Sequence, residues 1–194
     1  MNNEDKRVIR TKKLLKDSLK ELMLKYDDYT DISVSELCEK AEINRRTFYL
    51  HYESVDDVLL EIQESFAKEF AEKTKQYNHL KDYEAVIKVF FDLHESNPIY
   101  EKMVLSPSQD YLREMMRNRT IIKLDENDNL KDMRNLDIAT QNIIEQFYHM
   151  SVVTIYREWV RQKKVLPKEH VVKLTATLIE NGLNKVVTCS HHLK

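Results

Sequence analysis

Residues 45–52 read Arg-Arg-Thr-Phe-Tyr-Leu-His-Tyr. Arg45 and Arg46 each carry a planar fork of donors that can clamp a phosphate or span O6 and N7 of a guanine. Thr47, Tyr49 and His51 add hydroxyl and ring-nitrogen groups suited to phosphate oxygens. If the stretch is helical, Phe48 and Tyr52 stand four apart and share one face as core anchors, leaving Arg45, Arg46, Thr47, Tyr49 and His51 outside it. A helix of about seven residues is roughly 10 Å long, a fit for a major groove about 12 Å wide. That chemistry is recognition of a duplex, not the making or breaking of bonds.

Other chemistry is thinly supplied. His79, His94, His149 and His170 are far apart, with no HExxH or His–Cys spacing, and His191–His192 lie in the tail. Neither a metal nor a cofactor is expected. Cys38 and Cys189 are solitary, which excludes a disulfide framework. No nucleophile elbow, paired catalytic carboxylates or glycine loop occurs, so the chain does not read as an enzyme. Phe66, Phe90, Phe91, Tyr100, Met103, Met115, Phe147 and Met150 could line a pocket for a small-molecule effector, but an ordinary helical core needs the same residue types.

Composition narrows the scaffold. The 194 residues include one glycine, Gly182, and three prolines; average usage of roughly 7% would supply about 14 glycines. Strand-rich folds, dinucleotide-binding sheets and phosphate loops need glycine where the backbone turns with positive φ or meets a ligand. With 42% hydrophobic and 33% charged residues, the chain reads as all-α. The opening MNNEDKRVIR has no apolar leader and no run approaches the roughly 20 residues of a membrane span, so a cytoplasmic protein with no membrane partner is expected. A net charge of −2 creates no global pull toward nucleic acid. A local patch does: Lys6, Arg7, Arg10, Lys12, Lys13, Lys16 and Lys20 face a single acid, Asp17, and Arg10 and Lys12 are candidate phosphate contacts.

These residues need elements to hold them. Leu15, Leu19, Leu22, Met23 and Tyr26 recur at helical spacing and predict a first helix over Arg7–Lys25. Ser33-Val34-Ser35-Glu36 has the pattern of a capping box opening a short second helix, and Asn44 is the N-cap of a third, Arg45–Leu50. Asp56 and Asp57 favour the start of a fourth that runs to about Lys75. A fifth covers Asp82–Glu95, stopped at Asn97-Pro98. A short apolar helix follows over Ile99–Leu105, then a helix over Tyr111–Leu124 and a polar loop, Asp125–Asn129. Leu136–Lys163 is apolar on more than half its circumference and is expected to be buried on two sides. The last helix spans Lys168–Thr188.

Gly182 falls inside that last helix, where glycine costs roughly 1 kcal/mol relative to alanine. Leu174, Thr175, Leu178, Ile179, Gly182 and Val186 are read as one face, with the glycine permitting close approach of another backbone. Ile144, Tyr148, Ile155 and Trp159 are the expected opposing residues, and two copies of this helix pair would form an isologous four-helix interface. The competing expectation is that Gly182 ends the helix as a C-cap.

The stretch ISVSELCEKAEINRRTFYLHYESVDDVLLEI resembles the DNA-binding domain of the TetR family of bacterial transcriptional regulators, over roughly residues 7–62, with Thr47–Tyr52 as its most specific element. The resemblance implies a helix-turn-helix domain over 1–54 and a helical regulatory and dimerisation domain over 55–194. It implies DNA contacts from Arg45, Arg46, Thr47, Tyr49 and His51, backbone contacts from Ser33 and Ser35, and a homodimer on a palindromic double-stranded operator, with repression relieved by an effector. Two positions depart from the pattern: Glu42 stands where the family usually has a turn glycine, and Val55 where it often has lysine. IYEKMVLSPSQDYL and FYHMSVVTIYREWVRQ are similar to a subgroup that includes regulators resembling the dihydroxyacetone-kinase activator. A helical interaction module with a basic N-terminus for an acidic protein partner is the alternative.

Overall fold

The computed structural model of the chain describes residues 3–79, 81–108 and 137–188. The fold is all-α. Its elements are α1 (Asn3–Met23), a single 3-10 turn (Tyr29–Asp31), α2 (Val34–Lys40), α3 (Arg45–Tyr49), α4 (Val55–Thr74), α5 (Tyr83–Ser96), α6 (Pro98–Leu105), α7 (Ile138–Arg161) and α8 (Lys168–Thr188). The helix expected over Tyr111–Leu124, the loop Asp125–Asn129, Met115, Cys189, the tail histidines and the side chain of Val186 lie outside the described residues.

The chain gathers into two compact units, Met1–Glu69 with Asn97–Ile121, and Phe70–Ser96 with Ile122–Lys194. Neither breaks at 54/55. The reason is visible in the core of the first unit: Val55, Val58, Leu59 and Ile62 of α4 are buried together with Leu15 and Leu19 of α1, Leu37 and Cys38 of α2, and Phe48 of α3. The first turns of α4 are thus the floor under the three preceding helices. Ile99, Tyr100 and Met103 of α6 close the same core, with the Tyr100 and Phe66 rings edge to face at 4.9 Å. Asp28, which caps the 3-10 turn, also accepts hydrogen bonds from the Ser108 amide (3.2 Å) and hydroxyl (2.8 Å).

In the second unit α5, α7 and α8 enclose Val86, Ile87, Phe91, Val152, Tyr156, Val171, Val172 and Ile179. Phe91 meets Tyr156 edge to face at 4.9 Å and Trp159 at 5.4 Å. The Trp159 indole N–H donates to the Leu166 carbonyl at 2.8 Å, pinning the α7–α8 turn. That turn is helped by Lys163 and Lys164, both left-handed at φ 57° and 55°. Lys164 and Lys168 bridge to Glu95 at 3.2 and 3.0 Å, and Lys168 reaches Asp92 at 2.7 Å.

Several expectations for this unit need correction. Ile144 and Trp159 are 4% and 6% exposed within the chain, and the Tyr148 ring lies 6.0 Å from that of Tyr83. Ile144 and Trp159 therefore serve the chain's own packing rather than a second copy; Tyr148 and Ile155 are half-buried. The first half of α7 is buried on one side, with Ile138, Ile143 and Phe147 exposed, whereas over residues 151–160 only Thr154 is exposed. The residues assigned to one face of α8 divide likewise: Thr175 and Ile179 point into the core, whereas Leu174, Leu178 and Gly182 are exposed. Gly182 is not a C-cap, because α8 continues to Thr188. A Cβ at Gly182 would meet the Phe147 ring at 3.6 Å, an ordinary contact, so no backbone within the chain demands the glycine.

Candidate nucleic-acid interface

Helix α1 supplies the platform. Leu15, Leu19, Leu22 and Met23 bury one stripe of it, and Lys12 and Lys16 leave that stripe toward Glu61 of α4, at 2.6 and 3.2 Å. Burial pushes the Glu61 carboxyl up, but the hydrogen bonds that it accepts from Lys12 and Lys16 outweigh burial and leave it below the usual range. Lys12 also lies 5.0 Å over the Tyr52 ring. Lys12, expected to meet phosphate, is thus occupied in holding α1 to α4. Arg7, Arg10 and Lys13 are exposed, and among the described residues no carboxylate pairs with them.

Ser33 caps α2, accepting from the Glu36 amide at 3.1 Å. Only that half of the expected capping box forms. The Glu36 carboxylate instead accepts from the Tyr26 hydroxyl at 2.6 Å, tying the end of α1 to α2. Ser35 is exposed in the first turn.

The turn between α2 and α3 explains one departure from the family pattern. Glu42 has φ 55°, the left-handed conformation that glycine adopts without a Cβ clash. Its amide bonds to the Glu39 carbonyl at 3.1 Å and the Ile43 amide to the Cys38 carbonyl at 2.9 Å, the paired bonds of a Schellman ending. Glutamate therefore occupies a glycine conformation, with its side chain exposed. Asn44 then caps α3, accepting from the Arg46 amide at 2.8 Å.

Helix α3 is one and a half turns whose ridges separate by chemistry. Phe48 (0% exposed) and Tyr52 (5%) anchor the inner ridge. Burial and the neighbouring Glu61 charge push the Tyr52 hydroxyl well above its ordinary range, so it stays protonated. Thr47 and His51 form a half-buried flank, and Arg45, Arg46 and Tyr49 are exposed, with the Tyr49 ring braced edge to face on Phe48 at 5.3 Å. Of the five residues expected to face a ligand, Arg45, Arg46, Thr47 and Tyr49 lie on α3, and His51 follows its end. Leu50 joins them at 74% exposure, which the core-anchor pattern alone did not single out. Its signal was its position four residues after Arg46, on the same ridge. Val55 is 8% exposed and belongs to the core, so its departure from lysine is a packing choice. Asp57 caps α4 instead, accepting from the Glu53 and Ser54 amides at 2.8 and 3.0 Å.

The residues proposed for an effector pocket are divided between the units. Phe66, Tyr100 and Met103 pack in the first unit, Phe90 and Phe91 in the second, and Phe147 is exposed. Tyr100 also lines a crevice of ≈ 350 Å³ beside Lys13, Lys16 and Lys20. Among the described residues no cluster of three or more His, Cys, Asp or Glu could hold a metal ion, and no helix is long and apolar enough to cross a membrane.

Fold and site together define an all-helical chain whose first unit presents a helix-turn-helix with a cationic, aromatic outer ridge. No family profile matches the chain. A 55-residue stretch is 34% identical to an uncharacterized HTH-type transcriptional regulator, YxbF of Bacillus subtilis (strain 168). It covers 28% of this chain and 14% of that protein. The fold also superimposes on the fatty acid degradation regulator FadR from Bacillus halodurans, with a TM-score of 0.56 over 89% of this chain and 96% of that one, at 19% identity. This second likeness is one of fold.

Proposed function

We propose that the chain is a sequence-specific DNA-binding transcriptional regulator, a repressor of the TetR type, that reads a palindromic operator as a homodimer. The observation that carries this reading is the outer ridge of α3. Arg45, Arg46 and Tyr49 are solvent-exposed on a helix short enough for a major groove, held rigidly from behind by Phe48 and Tyr52. Arg45 reads a base and Tyr49, Thr47 and His51 clamp phosphates; Ser33, Ser35 and Arg10 take backbone contacts. The sequence likeness to YxbF over 55 residues and the fold likeness to FadR support the assignment. In this reading residues 1–54 carry DNA contact on a core that the first turns of α4 complete, and the second unit dimerises and responds to an effector whose binding releases the operator. The dimer forms through Leu174, Leu178 and Gly182 of α8 with Ile143 and Phe147 of α7, all of them exposed within the chain, with the Phe147 ring close to Gly182.

The test is selection of bound sites from random duplex DNA, followed by affinity against salt. A regulator recovers a palindromic consensus and loses affinity steeply as salt rises. Arg45→Ala should then cost about 1–3 kcal/mol and relax preference at one position of each half-site. Salt-insensitive binding without duplex selectivity would point to an acidic protein partner for the basic α1.

A further inference from the structure

Leu50 is the least polar group on the outer ridge of α3 and one of its most exposed, at 74%. Folding does not account for it. Its backbone is helical (φ −74°, ψ −19°) and continues α3, so it sits one turn beyond Arg46 on the same ridge and next to Tyr49. It lines a groove of ≈ 460 Å³ together with Tyr49, His51, Glu53, Asp57 and Glu61. Lys12 and Lys16 neutralise Glu61 there, and the Glu53 and Ser54 amides hold Asp57. An aliphatic side chain offers a phosphate no hydrogen bond, so on this cationic ridge Leu50 suits a base edge rather than a phosphate. The apolar feature that a major groove offers is the C5-methyl group of thymine, which adenine, guanine and cytosine lack.

We infer that Leu50 is a specificity-determining residue that selects thymine through its methyl group. This rests on the DNA-binding reading above. Four residues along the helix is a rise of about 6 Å, so the thymine falls about two base-pair steps from the group that Arg46 meets. The full chain and its selected operator provide the test. Each thymine is replaced singly by deoxyuridine, which removes the methyl and keeps every hydrogen bond, and affinity is measured for wild type, Leu50→Ala and Leu50→Met. At one thymine in each half-site, wild type should lose about fourfold, the equivalent of one buried methyl group. Leu50→Ala should bind the thymine operator correspondingly less well and no longer distinguish deoxyuridine there, while its responses at the other thymines match wild type. Leu50→Met, still apolar, should retain most of the discrimination. Equal deoxyuridine penalties for wild type and Leu50→Ala at every position would overturn the role of Leu50 while leaving operator binding intact. Failure to recover any preferred duplex would overturn both. The exposure of Leu50 predicts unchanged melting of both variants, which separates a lost contact from a lost fold.

Discussion

Glu42→Gly should stabilise the first unit, against the usual direction of a glycine substitution. Glu42 holds φ 55° in the Schellman turn between α2 and α3. A residue with a Cβ pays about 1–2 kcal/mol in that region, and glycine avoids this cost. Glycine in turn loses about 0.5–1 kcal/mol more conformational entropy on folding. The Glu42 side chain is exposed, so little contact energy offsets the difference. The net expectation is a gain of about 0.5–1 kcal/mol, a rise of about 1–4 °C in melting temperature for a chain of this size. Thermal and urea unfolding of wild type, Glu42→Gly and Glu42→Ala measure it. Alanine removes the carboxylate but keeps the Cβ, so it should not share the gain. If Glu42→Ala melts as high as Glu42→Gly, charge rather than backbone conformation governs the turn. If Glu42→Gly melts below wild type, the reading of the turn is wrong. Both variants should bind the operator more tightly if the Glu42 carboxylate lies near phosphate, which a salt titration separates from the stability effect.

Glu61→Gln should lower the melting temperature and free Lys12 and Lys16, whereas Arg10→Ala should leave folding alone and reduce the salt slope of DNA binding by about one unit; equal slopes for Arg10→Ala and wild type would remove Arg10 from the interface. Burial raises the carboxyls of Asp92 and Glu95, but Lys168 with Lys88 and Lys164 outweighs it, and both stay below the usual range. Their contribution is therefore fully present above the ordinary carboxylate values near pH 4 and is lost as pH falls through the lowered ones, at about 0.2–1 kcal/mol per partly exposed pair. Lys168→Met should flatten that acid limb in a series of unfolding curves. Gly182→Ala should add roughly 1 kcal/mol to helix stability, because its Cβ meets Phe147 at ordinary contact distance. Gly182→Leu should instead leave a folded monomer; sedimentation showing an intact dimer would place the interface elsewhere.

How much of this was legible in the sequence depended on whether a pattern concerns one helix or its neighbours. Phe48 and Tyr52 could be named as anchors because so short a helix, with the helical turn that follows it, has one inner ridge set by a single i, i+4 pair. The caps at Ser33 and Asn44 are local for the same reason. The second half of the Ser33 box failed through competition, since Glu36 is drawn to a hydroxyl ten residues away that no local pattern reveals. On α7 and α8 the difficulty is one of phase. Both helices are apolar over wide arcs, and periodicity shows the arc but not where within it the core ends. Thr175 illustrates the ambiguity, being polar yet fully buried, because its hydroxyl donates to the Val171 carbonyl at 2.7 Å within its own helix. Leu174, one residue earlier, is apolar yet 45% exposed. Residue type alone would exchange the two. Once the core is assigned, the leftover apolar positions acquire meaning that composition could not supply. Leu174, Leu178, Ile143 and Phe147 are the apolar positions that the core leaves exposed, and the isologous contact proposed above is the one arrangement in which a single such face covers itself.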